Sequence, residues 1–336
     1  MKLQMTYRFR IYPNVAQREL IEKNFGAYRF VYNFFLEKWI RAYREGEATP
    51  NRFEQYKELP ELKRQKPWLK EVDSTSLQAA VKSLYVAYQH FFDGRRFGKN
   101  IGLPKRKRKR DLEQSYKSKN IDSGIRIVDG KHLRLPKVGN VRCAISKQVP
   151  ENSILYALVK RHGTGKYYVS LCCKPQYSDI EKTGKKVGLI MKRDGSITTS
   201  DGELFSVRNA KNSDSTLQYL RNNMTRKPRA SISRQKCAIK YSTCLDKRKN
   251  QMTDDLNKIT TQLIKAYDFI CIGNLSPKIR KCVPLNELVW MLKFKAELYG
   301  RIVKLGDVIS IEGMTADEQA IELAGKVLQK ELAKTA

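Results

Sequence analysis

The chain has 336 residues, with 66 Lys and Arg against 34 Asp and Glu, a net charge of +32. That excess is spread along the whole length, so nucleic acid is the expected partner and an anionic membrane surface the weaker alternative. With 41% hydrophobic and 10% aromatic residues, the composition argues against disorder and for one large or two moderate cores.

No run of about 18 apolar residues is present to span a bilayer, and no apolar segment of signal-peptide type follows the N-terminus. The expectation is a cytoplasmic protein. In chain order, residues 5–12 alternate apolar and polar side chains as a half-buried strand does. Pro13 stops it, Asn14 and Gln17 have capping-box spacing, and Leu20, Ile21, Tyr28, Val31, Tyr32, Phe35 and Trp39 recur at helical intervals. Gly46 and Pro50 end this helix. A polar connector with Pro60 and Pro67 follows, then a second helix from near Ser74 with Leu77, Val81, Leu84, Tyr85, Tyr88 and Phe92 on one face.

From about residue 100 the texture becomes short strands and turns. Gly102 and Pro104 precede a basic run, and strands at 125–128, 133–135, 155–160 and 167–173 flank the turns Asp129–Gly130 and Gly163–Gly165. This reads as a small antiparallel barrel or sandwich that the first strand completes, with the helices as an insertion. From about 185, three strands (187–191, 196–199, 203–207) joined by turns at Asp194 and Asp201 precede a long basic helical region at 213–266. A strand at 269–272, a helix around 285–300, a strand at 301–305 and a last helix from about 316 predict an α/β domain.

Cys143, Cys172, Cys173, Cys237, Cys244, Cys271 and Cys282 form no CxxC pair. They read as reduced thiols that pack as small hydrophobes, and no zinc site can be drawn from them. His90, His132 and His162 are scattered on unrelated elements and support no catalytic assignment.

The stretch YRFRIYP from Tyr7 to Pro13, GAYRFVYN from Gly26 to Asn33 and SLQAA from Ser76 to Ala80 resemble, in order and spacing, the TnpB family of transposon-encoded RNA-guided nucleases, relatives of the compact type V CRISPR effectors. Phe91, Phe92 and Gly94, the triplet Gly102-Leu103-Pro104, Ser115 and Tyr116, and Trp290 followed by FKAELYGR from Phe294 to Arg301 extend the resemblance over nearly the whole chain. It implies an α+β multidomain protein: a wedge β-barrel (1–13 plus 100–184), an inserted helical recognition domain (14–99) and an α/β RuvC-like domain of RNase H fold (185–336).

RuvC-type cleavage needs carboxylates that hold two Mg²⁺ about 4 Å apart. The resemblance places the family's first Asp at Ile190 and its Glu at Gly273, and neither can coordinate a hard cation. Asp317 is the possible remnant of the third acid, and its favoured reading is a first-turn residue stabilised by the helix dipole. Asp194 and Asp201 precede glycines and read as turn residues. About eight residues without cysteine stand where the family carries a zinc ribbon, so neither zinc nor a catalytic magnesium pair is expected. This pattern resembles the nuclease-dead TnpB-like repressors, with guide RNA as essential partner, double-stranded DNA as target and one protein per guide.

By the same resemblance, Thr75, Ser76 and Gln78 are expected to read a short transposon-adjacent DNA motif, with Asn33 and Tyr56 as lesser candidates. Guide-RNA phosphates are assigned to Arg8, Arg10, Lys105, Arg106, Lys107, Arg108, Lys109 and Arg110. Arg221, Arg226, Lys227, Arg229, Arg234, Lys236 and Lys240 are assigned to a guide–target channel. Two other readings stay open: an active nuclease with relocated carboxylates, and a simple RNA-binding protein.

Overall fold

The alternation of Phe9 and Ile11, buried, with Arg8, Arg10 and Tyr12, exposed, makes β1 (Met5–Tyr12) a one-sided strand. Pro13 has no N–H to extend the ladder. Asn14 then caps α1 (Val15–Glu45) in a reciprocal capping box with Gln17, and the helix ends at Gly46, whose φ of 72° is left-handed. The computed structural model describes residues 4–150, 152–177, 180–192, 194–208, 215–229, 231–275, 284–309 and 317–333. These fall into two compact units, 1–175 and 176–336.

The expected polar connector is instead largely helical. α2 (Arg52–Gln65) starts with a second capping box, Asn51 with Glu54, and carries Pro60 in its interior. An interior proline costs about 3 kcal/mol. The capping box and the burial of Leu59, Leu62 and Gln55 offset it. A 3₁₀ turn (Pro67–Lys70) leads to α3 (Ser74–Arg96), whose N-cap is Asp73.

Seven strands form the sheet of this unit: β1, β2 (Gln114–Lys119), β3 (Arg126–Ile127), β4 (His132–Leu135), β5 (Gly139–Cys143), β6 (Ile154–Arg161) and β7 (Tyr167–Cys173). The order is β2-β6-β7-β1-β5-β4-β3, antiparallel throughout, so β1 is an interior strand and both helices of the core are inserted after it. The sheet corrects the expectation of a closed barrel. Its end strands β2 and β3 do not pair, and the two residues of β3 are too few to carry a second ladder. Phe25, Val31 and Phe35 of α1 and Leu77, Val81 and Leu84 of α3 share one core with Tyr116, Val159 and Leu171 of the sheet.

The second unit has a five-stranded sheet: β8 (Lys186–Met191), β9 (Ile197–Thr199) and β10 (Leu204–Phe205), then β11 (Phe269–Leu275) and β12 (Ile302–Ile309). The order is β10-β9-β8-β11-β12, with β8 to β10 an antiparallel meander and β11 parallel to both β8 and β12. The basic helical region divides at Pro228 into α4 (Ser215–Thr225) and α5 (Ile232–Ala266), the latter capped by Ser231. α5 and α6 (Leu285–Tyr299) bury Leu256, Leu263, Leu288 and Leu292 in one core with Val187, Leu189, Ile270 and Ile272.

α7 (Asp317–Ala333) lies so close to β8 that a Cβ at Gly188 would stand 1.9 Å from the Ala324 carbonyl oxygen. Gly188→Ala must therefore displace the helix, and a loss of about 1–3 kcal/mol is expected by denaturant titration. Gly325→Ala on the same helix, where a methyl meets nothing within 4 Å, is the control and should be neutral or stabilising.

Candidate nucleic-acid interface

The first unit carries an open cavity of about 1100 Å³ lined by α2, α3, β2 and β6. Arg52, Lys82, Lys107, Lys117, Lys119 and Lys174 line it, and among the described residues no carboxylate does. Burial holds the Lys107 ammonium below the usual lysine range. Burial does the same to Lys117, reinforced by the charge of Lys82. Keeping these groups protonated against burial and like charge costs free energy, and an anion in the cavity would relieve that cost. Aromatic faces accompany the cations: Lys117 Nζ is 3.3 Å from the Tyr156 ring centroid, and the Arg52 guanidinium lies over the rings of Phe53, Tyr56 and Tyr85 at 4.9, 6.0 and 5.4 Å.

Thr75, Gln78, Tyr56 and Lys107 all line this cavity. Gln78 is exposed and spends its side chain on no hydrogen bond among the described residues. Thr75 is committed: its hydroxyl donates to Asp73 Oδ2 at 2.7 Å and accepts from the Lys119 N–H at 2.9 Å. Ser76 cannot reach a base as expected. It is fully buried, and its hydroxyl donates to the Asp73 carbonyl at 2.7 Å. Asn33 is also withdrawn, because its amide donates to the Lys107 carbonyl and accepts from the Lys107 N–H, both at 2.9 Å.

That clamp divides the basic run. Lys107 turns toward the cavity, while Lys105, Arg106, Arg108, Lys109 and Arg110 are exposed and Arg106 pairs with Glu37 at 2.6 Å. Arg8 and Arg10 stand on the open face of β1, with Arg8 4.3 Å over the Tyr168 ring and Arg10 4.8 Å over Tyr12. Sequence reading missed Arg52, Lys82, Lys117, Lys119 and Lys174, which converge from separate elements. The i, i+2 spacing of Lys117 and Lys119 was the available signal.

In the second unit Arg221, Arg226, Arg229, Lys236 and Lys240 are exposed. Arg234 is a structural residue: its Nη1 donates to the carbonyls of Met224 at 3.2 Å and Lys227 at 2.9 Å, closing the end of α4. Lys227 Nζ donates to Ser233 Oγ at 2.8 Å.

The positions assigned to the catalytic acids lie on neighbouring strands. Leu189 and Ile272 are the last residues paired between parallel β8 and β11, and Ile190 and Gly273 follow them in the chain. Ile190 is 0% exposed, and Gly273 is buried at a register shift of β11 against β12. Across β9, Ile190 faces Thr198, whose buried hydroxyl has no hydrogen-bond partner among the described residues. Asp317 begins α7, and Thr315 and Ala316 before it lie outside the described residues. Asp194 accepts from the Ser196 N–H and hydroxyl within its turn, and Asp201 accepts from the Tyr267 hydroxyl at 2.7 Å.

Ile190→Asp would bury a carboxyl with only the Thr198 hydroxyl at hand, which raises its pKa. Lost packing destabilises the variant at every pH, and an ionisation deficit adds to it, absent below the unfolded value of about 3.9 and growing as pH rises from there to the folded one. Urea titrations should show a deficit of roughly 2–5 kcal/mol at about pH 4 that widens towards neutral pH. A deficit independent of pH would show that this position does not bury the charge.

Residues 1–48 match a family described as a helix-turn-helix domain, that of OrfB from IS605. Within them the fold has β1 and the single unbroken α1, so the likeness is one of sequence. A Streptomyces pristinaespiralis protein named as a candidate RNA-guided DNA endonuclease is 24% identical over 315 residues, 89% of this chain and 76% of its own. The Escherichia coli K12 protein InsQ, named in the same way, is 27% identical over 284 residues, 82% of this chain and 67% of its own.

Proposed function

These matches support the TnpB family, and on that footing we propose that this chain is a guide-RNA-directed DNA-binding protein that does not cleave. Its expected role is to recognise a transposon-adjacent motif plus guide-complementary DNA and to repress transcription by occupying that DNA. The observation that carries the reading is that Ile190 and Gly273, both buried, directly follow the last paired residues of adjacent parallel strands. Neither side chain offers an oxygen, so the residues there do not fit a magnesium pair and no cleavage step is assigned.

The sheet order of the second unit supports an RNase H-type domain, since a three-stranded meander followed by two strands parallel to its first is the arrangement that fold requires. The first-unit cavity supports retained binding. Six cations around one opening neutralise phosphates whatever the sequence, while an uncommitted Gln78 can pair with an adenine edge. Guide pairing supplies the remaining sequence specificity.

The test is purification with its bound RNA, followed by incubation with guide-matched duplex in Mg²⁺ or Mn²⁺. Discrete RNA, motif-dependent binding and uncut DNA are expected. Cleavage that vanishes on mutating Asp194 or Asp317 would establish an active nuclease instead, and equal binding of matched and scrambled duplex would leave a simple RNA-binding protein. Within this frame, Gln78→Ala should keep the guide and lose about 1–3 kcal/mol of duplex affinity only when the motif is present. Filter binding with matched and motif-scrambled duplex, beside a reporter, reads that difference.

A further inference from the structure

α1 carries a second stripe at the margin of the core, where Phe30 and Phe34 are only partly buried. Gly26, Phe30 and Phe34 face a separate cavity of about 630 Å³, closed on its far side by Trp68. Gly26 is the unexpected member. It sits within a 31-residue helix, where glycine is among the poorest helix formers. No contact of this chain demands it, because the nearest atom to an added Cβ is Arg29 Nη2 at 3.9 Å. A methyl there would fill only the cavity, so the missing side chain leaves room for something else.

The walls are aromatic. Trp68, 40% exposed, meets Phe30 edge to face at 5.2 Å, and Phe30 stacks beside Phe34 at 6.2 Å. Charged pairs form the rim, Lys23 with Glu71 and Arg106 with Glu37, each at 2.6 Å and each about half exposed. Exposed pairs of this kind contribute little and exchange partners readily. Released, the cations suit a phosphate and the carboxylates suit the exocyclic amino groups of bases.

We infer that this cavity receives one unstacked nucleotide of a single-stranded nucleic acid, its base against Trp68 and Phe30 and over Gly26, its phosphate at the cationic rim. A duplex cannot supply that base without breaking a pair, so the ligand is a single-stranded segment. The inference rests on the proposed nucleic-acid binding, and it does not depend on the state of the catalytic positions.

The test uses the full chain stripped of RNA, with short single-stranded RNA and DNA probes of one mixed sequence. Each probe is also made with a single abasic site moved along it, and as duplex. One abasic position should weaken binding to the parent protein by about tenfold, the scale of one base–aromatic stack. The same position should cost nothing in Trp68→Ala. The RNA and DNA arms name which strand supplies the base. Gly26→Leu, and Gly26→Ala as the smallest filling, should keep or raise the melting temperature while weakening single-strand binding. The inference is overturned by any of three results: no abasic penalty in the parent, a penalty that persists in Trp68→Ala, or parental affinity in both Gly26 variants. Guide-dependent duplex binding without an abasic penalty would remove the pocket and leave the proposed function. Cleavage of matched DNA would do the reverse.

Discussion

One buried carboxylate ties the first unit together. Asp73, 5% exposed, accepts from the Thr75 N–H and hydroxyl and, at 2.6 Å, from the Ser118 hydroxyl of β2. Its own N–H donates to Asn24 of α1, which is itself buried. Three elements distant in sequence therefore share one charge. The carboxylate is stabilised there because each bond it accepts comes from a donor that would otherwise be buried and unpaired, a condition costing about 1–3 kcal/mol per group. Through Thr75 and Lys119 the same network forms part of the basic cavity, so the shape of the candidate interface follows from a folding contact.

The cavity illustrates why charge count alone says little about where a polyanion sits. Of 66 basic residues, most are solvated and screened. Among the six around the cavity, Lys107 and Lys117 are partly buried, and burial holds both below the usual lysine range. Arg234 and Asn33 show the opposite fate. Both are polar, and both spend their hydrogen bonds closing local structure.

At the centre of the second unit, Ile190 and Gly273 sit where neighbouring strands of a parallel sheet run together. Carboxylates crowded in that place would repel one another and would need bound cations to be stable. An isoleucine packs there without any such requirement, and it joins the same core as Leu189, Met191 and Ala324. Beside it on β9, the buried hydroxyl of Thr198 has no hydrogen-bond partner among the described residues.

Elements with a strong period were legible in the sequence. β1, α1 and α3, the hairpin turns and the alternation of the second unit could all be read from spacing, capping residues and glycine turns. The strand β2 was not. Its buried face is Gln114, Tyr116 and Ser118, and hydrogen bonds to Arg29, Arg108 and Asp73, with a ring packed in the core, replace the apolar repeat that marks a strand. α2 was hidden by Pro60, whose local penalty was overcome by a cap and by burial. The openness of the sheet lay in a pairing that does not form between β2 and β3, which no local signal reports. The sequence by itself determined the charge, the periodic elements and the absence of oxygen ligands at Ile190 and Gly273, because those are properties of residue type and spacing. Only the tertiary structure decided that these two positions lie on neighbouring strands, that Ser76 and Asn33 are spent internally and that five unremarked cations line the same cavity as Gln78. Those facts depend on which donors and strands meet across long sequence separations, and contact of that kind is set by packing.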